Sequence, residues 1–457
     1  MRFALIIGAL MLSACGATDG PSAGRLATPD IELPPMKTFS APMAERPQRS
    51  NARIAQDILD LVFQLESGRP LPVLTRFEGP ITVRVLGDAP ASLMPDLDRL
   101  IARLRSEAGI DISRVAAAQT AGITIEVLRR DELQRVVPKA ACFVVPRVTG
   151  WREFRRNRRN GTVDWSTLEN RERLAIFLPG DVSPQEVRDC LHEEIAQAIG
   201  PLNDLYRLPD SVFNDDNFHT VLTGFDMLVL RTIYAPELQS GMSRSQVAAR
   251  LPRILARLNP SGRRDVNRDT ETRTPRRWIM AIERALGPGT PPARRRSAAR
   301  EAVAIARAEG WQGPRLAFSL YALGRLHLGT EPELAIGAFL QAGAIYQSSD
   351  ETRIQAAHVG MQLSAFALAA GQPDVALEIV NEHLAPVARA ENAALLSTLL
   401  MVKAEALELL GRASEARDVR LDSLGWARYG FGSDRAVRAR ASEIAGLART
   451  REDGSGT

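Results

Sequence analysis

Apolar residues recur at two different periods along this chain, and the change of period marks its organisation. Ile54, Ile58, Leu61, Val62 and Leu65 share one helical face and predict a helix over 51–67. "ITVRVLG" (81–87) alternates as a strand, and "LMPDLDRLIARLRSEAG" (93–109) returns to the helical period. "GITIEVLR" (122–129), "ACFVVPRV" (141–148) and "RLAIFLP" (173–179) read as strands. Helices are then predicted over 183–200, 222–234 and 244–258. Ser183 stands as N-cap, with Pro184 in the first turn, Glu186 completing a capping box and Gly200 ending the helix. Thr223 with Asp226, and Ser243 with Gln246, form the same box.

Beyond a polar linker, 261–291, with one short helix near Trp278–Leu286, residues 292–449 keep a helical period throughout and are rich in Ala, Leu and Arg. Gly329, Gly371 and Gly411 recur 42 and 40 residues apart, followed by Ala335, Ala376 and Ala416. Leu323-Gly324, Ala335, Phe339 and Ala342 fit a pattern of small and large packing residues. This region resembles tetratricopeptide-type repeats, although its period exceeds theirs. The resemblance implies a concave surface for a protein or peptide partner.

The amino terminus changes the setting. The apolar run Phe3–Leu12 is too short to span a bilayer and reads as the core of a signal peptide. "LSAC" at 12–15 resembles the lipobox of bacterial lipoproteins, with Cys15 as the acylated residue after cleavage of 1–15. No aspartate follows Cys15, so an outer-membrane lipoprotein facing the periplasm is expected. Residues 16–50, poor in aromatics and rich in Gly, Ser, Ala and Pro, read as a flexible tether, and 450–457 as a tail. An exported chain meets an oxidising environment, which predicts a disulfide between Cys142 and Cys190.

All but three of the 58 basic residues are arginine, opposed by 54 acidic ones, for a net charge of +4. Basic runs at 152–159 and 294–296 are short and read as solvated faces, so no nucleic-acid partner is expected.

The candidate chemistry lies in "LHEEIAQAIG", 191–200. It resembles the zinc-protease helix H-E-x-x-H-x-x-G with its ligands replaced. Glu193 stands at the first histidine, Glu194 at the catalytic glutamate, Gln197 at the second histidine and Gly200 at the glycine. The third ligand position falls on Asn203, beside Asp204. "SVF", Ser211-Val212-Phe213, resembles the methionine turn with phenylalanine in place of methionine. "LTGFDMLVLRTIY" resembles the closing helix of that family through Thr223, Asp226 and Tyr234. The order of elements over roughly 70–236 is similar to that of matrixin-like zincins. It also resembles an uncharacterised family of bacterial lipoproteins with an E-E-x-x-Q helix.

The expected fold is therefore an α+β zincin-like (matrixin-like) domain, 51–260, followed by an all-α helical-repeat domain, 292–449. Two alternatives attach to the motif. With no imidazole at 193, 197 or 203, neither zinc nor any other cofactor is expected, and the chain is a binding or scaffold protein with vestigial ligand positions Glu193, Gln197, Asn203 and Asp204. An oxygen-only set there would suit calcium rather than zinc. The other alternative is an atypical metallopeptidase or hydrolase using Glu194. His192 is one position early, about 100° around the helix from the ligand face, and His219 is the domain's only other histidine. "NDDN" (214–217) reads as a polar turn.

Overall fold

β5, Leu174–Pro179, is buried along its whole length, so it must be covered on both faces. The computed structural model describes residues 32–39, 45–263 and 273–449. Two compact units are distinguished: 39–271 with 389–392, and the remainder of the chain.

The first unit is a small mixed sheet with helices. Its elements run α1 Asn51–Val62, β1 Ile81–Gly87, α2 Leu93–Glu107, β2 Ile112–Arg114, β3 Ile123–Leu128, α3 Arg130–Val136, β4 Phe143–Pro146, α4 Trp151–Asn157, β5, α5 Pro184–Ile199, α6 Gly224–Ile233 and α7 Arg244–Leu258. The strand order is β2-β1-β3-β5-β4. β1, β2, β3 and β5 are parallel and β4 runs antiparallel along the edge. Alternation sorts β5 between two cores. Leu174, Ile176 and Leu178 join the main core with Leu191, Ile195, Phe213 and Leu230, while Ala175 and Phe177 join a smaller one. There Phe177 packs against Phe143, Trp151 and Phe154, ring centroids 5.1–5.4 Å away.

Three elements escape the periodicity. β2 has three residues, too few to show alternation. α3 buries Leu133 alone. α4 buries only Trp151 and Phe154 and is otherwise the basic run read as a solvated face. Glu126 of β3 sets the start of α4, because its Oε2 accepts from the Trp151 N–H at 2.7 Å. The first helix ends at Val62, short of the expected 67.

The expected tether requires correction over two stretches. Arg49 is buried and ion-paired with Asp57 (3.0 Å) and Asp210. A β-carbon on Gly224 would meet the Glu45 carbonyl oxygen at 1.7 Å, so the entering chain lies on the first turn of α6. Residues 32–38 belong to the helical unit. Cys15, the rest of the leader, part of the linker (264–272) and the tail lie outside the described residues.

The second unit is all-helical: α8 Arg276–Leu286, α9 Pro292–Ala308, α10 Pro314–His327, α11 Pro332–Gln347, α12 Arg353–Ala369, α13 Pro373–Arg389, α14 Ala393–Leu409, α15 Ala413–Phe431 and α16 Asp434–Arg449. The expected linker is corrected here, since α8 is part of this core. Trp278 is fully buried and donates through Nε1 to Ser319 Oγ at 2.9 Å. α11, α13 and α15 start at regular intervals, and Ala335, Ala376 and Ala416 are each fully buried. The Phe339 ring lies where a β-carbon on Gly324 would come within 2.7 Å of it. Gly371 and Gly411 take positive φ after α12 and α14, but the third such turn uses Gly310, not Gly329. The stretch 32–38 runs along α15. Lys37 N donates to Gly425 O at 3.0 Å, and Arg428 donates to Pro34 O at 2.9 Å.

Among the described residues, no helix is long and apolar enough to cross a membrane.

Candidate functional site

α5 is built from both ends. Ser183 Oγ accepts from the Glu186 N–H at 3.2 Å, as a cap should. Glu186 does not return the bond; its carboxylate pairs with Arg130 at 2.8 Å, so the expected box is only half formed. At the other end, buried Arg171 donates to the carbonyls of Gln197 and Gly200, both at 2.5 Å. A helix C-terminus carries partial negative charge, and this guanidinium answers it. Burial lowers the pKa of Arg171 to about 10, with Tyr234 opposing, which leaves it charged at neutral pH. No local pattern marks Arg171, because its partners lie 26 and 29 residues away.

Gly200 is the residue expected to end the helix and turn the backbone. Its φ is −151°, and the reason for glycine is space: a β-carbon would meet Leu230 Cδ2 at 2.8 Å. α6 thus sits tight on the end of α5. Tyr234 adds a hydrogen bond from its hydroxyl to Ile199 O at 2.9 Å.

Ser211-Val212-Phe213 is tied to α6 by one carboxylate. Asp226 accepts from Ser211 Oγ (2.5 Å), Val212 N (3.2 Å) and Thr223 N (2.8 Å). Thr223 and Asp226 form the full capping box. Phe213 is fully buried in the main core.

Both histidines of this unit serve the backbone. His192 Nδ1 accepts from the Leu222 N–H at 3.1 Å. Burial first, then Arg188, Arg103 and Arg99, hold its pKa well below the usual histidine value. His219 Nε2 donates to Pro209 O at 2.9 Å, and burial lowers its pKa to about 4. Asn203 is also engaged elsewhere, its side chain donating to Asp60 O at 2.9 Å.

What remains at the motif face is carboxylate. Carboxylate oxygens of Glu193 and Glu194 lie within 4.8 Å of each other and of Cys142 Sγ. That sulfur is bonded to Cys190 and offers no thiolate. Asp204 follows Asn203, and the charges of Glu66, in the turn after α1, and of Asp215, in the turn after Phe213, act on it. Asp215 accepts from the Tyr206 hydroxyl at 2.6 Å. Its neighbours Asn214 and Asp216 are turn formers: Asn214 Nδ2 donates to Leu208 O at 2.9 Å and to Asp216 at 2.8 Å.

This group has one sign. Burial, then Glu66 and Asp215, raise the pKa of Glu193 to about 7. Burial, then Glu193 and Glu66, push Glu194 well above the carboxylate range, and burial, then Glu66 and Glu193, do the same to Asp204. Glu194 Oε2 and Asp204 Oδ1 are buried without a hydrogen-bond partner. Gln197 is buried one turn beyond Glu193. The expected positions 193 and 194 are thus brought together, while the side chain of 203 is engaged elsewhere. Glu66 and Asp215 were missed, because the chain folds them in from separate turns.

Residues 51–253 match a family described as a protein of unknown function (DUF2927). These residues form a DUF2927 domain. The DUF2927 domain covers the sheet, the acidic face of α5 and the turns that feed it, and ends within α7. No curated protein and no solved structure matches the chain.

Proposed function

We propose that this protein is a lipid-anchored binding or scaffold protein of the bacterial cell envelope. In this reading the DUF2927 domain is a zincin-like scaffold without zinc chemistry, and the tetratricopeptide-like helices carry a protein or peptide partner. One observation carries it. Both imidazoles of the domain are committed to backbone partners, which leaves a site of carboxylates and an oxidised sulfur. Zinc catalysis needs imidazole or thiolate ligands and a polarised water, and Glu194 without that metal has no activated water to deprotonate.

Glu194 supports a second reading. A buried carboxyl with a raised pKa beside a second carboxyl is the arrangement of an acid–base pair, so an atypical hydrolase is the alternative. Casein and peptidoglycan turnover separate the two. Background turnover in wild type, unchanged in Glu194→Gln, is expected; turnover abolished by that substitution promotes the hydrolase.

The anchor rests on the "LSAC" run. Cys15→Ser is expected to release the protein from membranes or leave its precursor unprocessed. A mutant that fractionates with membranes at its mature size contradicts the anchor.

A further inference from the structure

We propose that the face of α15 around Gly425 is a recognition site for an extended, proline-containing peptide that carries a lysine, and that residues 33–37 of this chain occupy it in cis as a releasable strap.

The shape of the strap comes from its sequence. In Leu33-Pro34-Pro35-Met36-Lys37, Leu33 and Pro34 each precede a proline and are held extended. Both prolines have a fixed φ and lack an N–H, so the run needs no hydrogen bonds of its own and presents its carbonyls. A run of this kind has three residues per turn, which puts positions 34 and 37 on one side. Both hydrogen-bond α15. Arg428 Nη1 donates to Pro34 O at 2.9 Å, and Lys37 N donates to Gly425 O at 3.0 Å.

The receiving face matches it. Gly425 stands inside the 19-residue helix α15, where glycine is less stable than alanine. A β-carbon there would lie 3.1 Å from Lys37 Cγ and 3.3 Å from Pro35 O, so its absence lets the strap reach a helix carbonyl. Asp422, Gly425 and Arg428 are spaced by three and share one side of the helix. Asp422 pairs with the Lys37 ammonium, which also lies 5.6 Å over the Trp426 ring. The face thus offers an acid and an aromatic ring to a cation, an open carbonyl to an N–H, and a guanidinium to a carbonyl.

Exposure makes the strap releasable. The Lys37 and Asp422 side chains are 48% and 40% exposed. Such a pair is screened by salt and holds weakly. Pro35 and Met36 are exposed as well. The same groups on another chain can therefore take the place of the strap, in the manner of proline-rich peptides on aromatic-lined surfaces. The site names where on these helices a peptide partner sits, and it rests on the reading that they carry one.

The test uses the full chain and a fluorescent peptide of its own residues 32–38, at pH 7.5 and low salt, with anisotropy as the readout. Lys37→Glu sets like charge against Asp422 and loosens the strap. This variant is expected to bind the peptide at least tenfold more tightly than wild type, whose site is filled. Adding Gly425→Val or Arg428→Ala to it should remove that gain, and the Lys37→Glu peptide should not bind. Circular dichroism identifies a second substitution that prevents folding, and the other then decides. Equal affinity of wild type and Lys37→Glu overturns the cis strap. A gain that survives both Gly425→Val and Arg428→Ala overturns the α15 site and leaves the partner-carrying reading standing. No binding by the Lys37→Glu chain up to about 1 mM overturns the site together with the peptide form of that reading.

Discussion

Reduction of the Cys142–Cys190 disulfide is expected to lower the stability of the sheet unit by about 4 kcal/mol. The two cysteines are 48 residues apart in sequence. Closing a loop of that length removes chain entropy worth about 4 kcal/mol from the unfolded state. The bond also ties the residue preceding β4 to α5, three positions before Glu193. For a domain of this size, each kcal/mol moves the melting temperature by about 2–4 °C, so a drop of roughly 10 °C is expected. Calorimetry of the protein with and without reductant measures it, with Cys142→Ser/Cys190→Ser as the second preparation. A shift under about 2 °C in both contradicts the entropic account.

The second large effect runs against ordinary acid denaturation. Metal-free protein is expected to lose stability as pH rises from 6.5 to 8. A group whose folded pKa is raised contributes stability that is present below its unfolded pKa and is lost as pH rises through the folded value. For Glu193 that window runs from the ordinary 4.5 to about 7. Glu194 and Asp204, pushed well above their ordinary values, extend it upward. His192 and His219, whose pKa values are lowered, act in the opposite sense, but only below the ordinary histidine value of 6.5. Above pH 6.5 the carboxyls act alone.

One such carboxyl changes stability by about 1.4 kcal/mol per pH unit inside its window. Glu193 is partly exposed and Glu66 lies at the rim, so solvent screening reduces the sum. From pH 6.5 to about 7 Glu193 contributes a loss of about 0.7 kcal/mol, or roughly 1–3 °C, and Glu194 and Asp204 act in the same direction. Glu194→Gln should flatten the profile and raise the melting temperature at pH 8. A melting temperature that is constant or rises from pH 6.5 to 8 in chelator, with wild type and variant alike, contradicts this electrostatic account.

Local chemistry made the helical frame of the site legible. The Ser183 cap, the Thr223–Asp226 and Ser243–Gln246 boxes and the continuous apolar run of β5 each act within a few residues, so the sequence shows them. The acidic face was legible only in part. Glu193, Glu194 and Gln197 share a helix, but Glu66 and Asp215 arrive from separate turns. The misreadings have the same origin. Glu186 looked free to complete a box until Arg130, 56 residues away, claimed it. Gly200 looked like a turn residue until Leu230 closed on it. The tether composition of 32–38 and 45–50 concealed pairings of Lys37 with Asp422 and of Arg49 with Asp57.

The motif helix is expected to persist without zinc chemistry. Elemental analysis of the protein, purified without chelator and with its disulfide intact, is the decisive measurement. Far less than one zinc per chain is expected, with no gain in melting temperature when zinc is added. One zinc per chain, lost in Glu193→Gln, would contradict it.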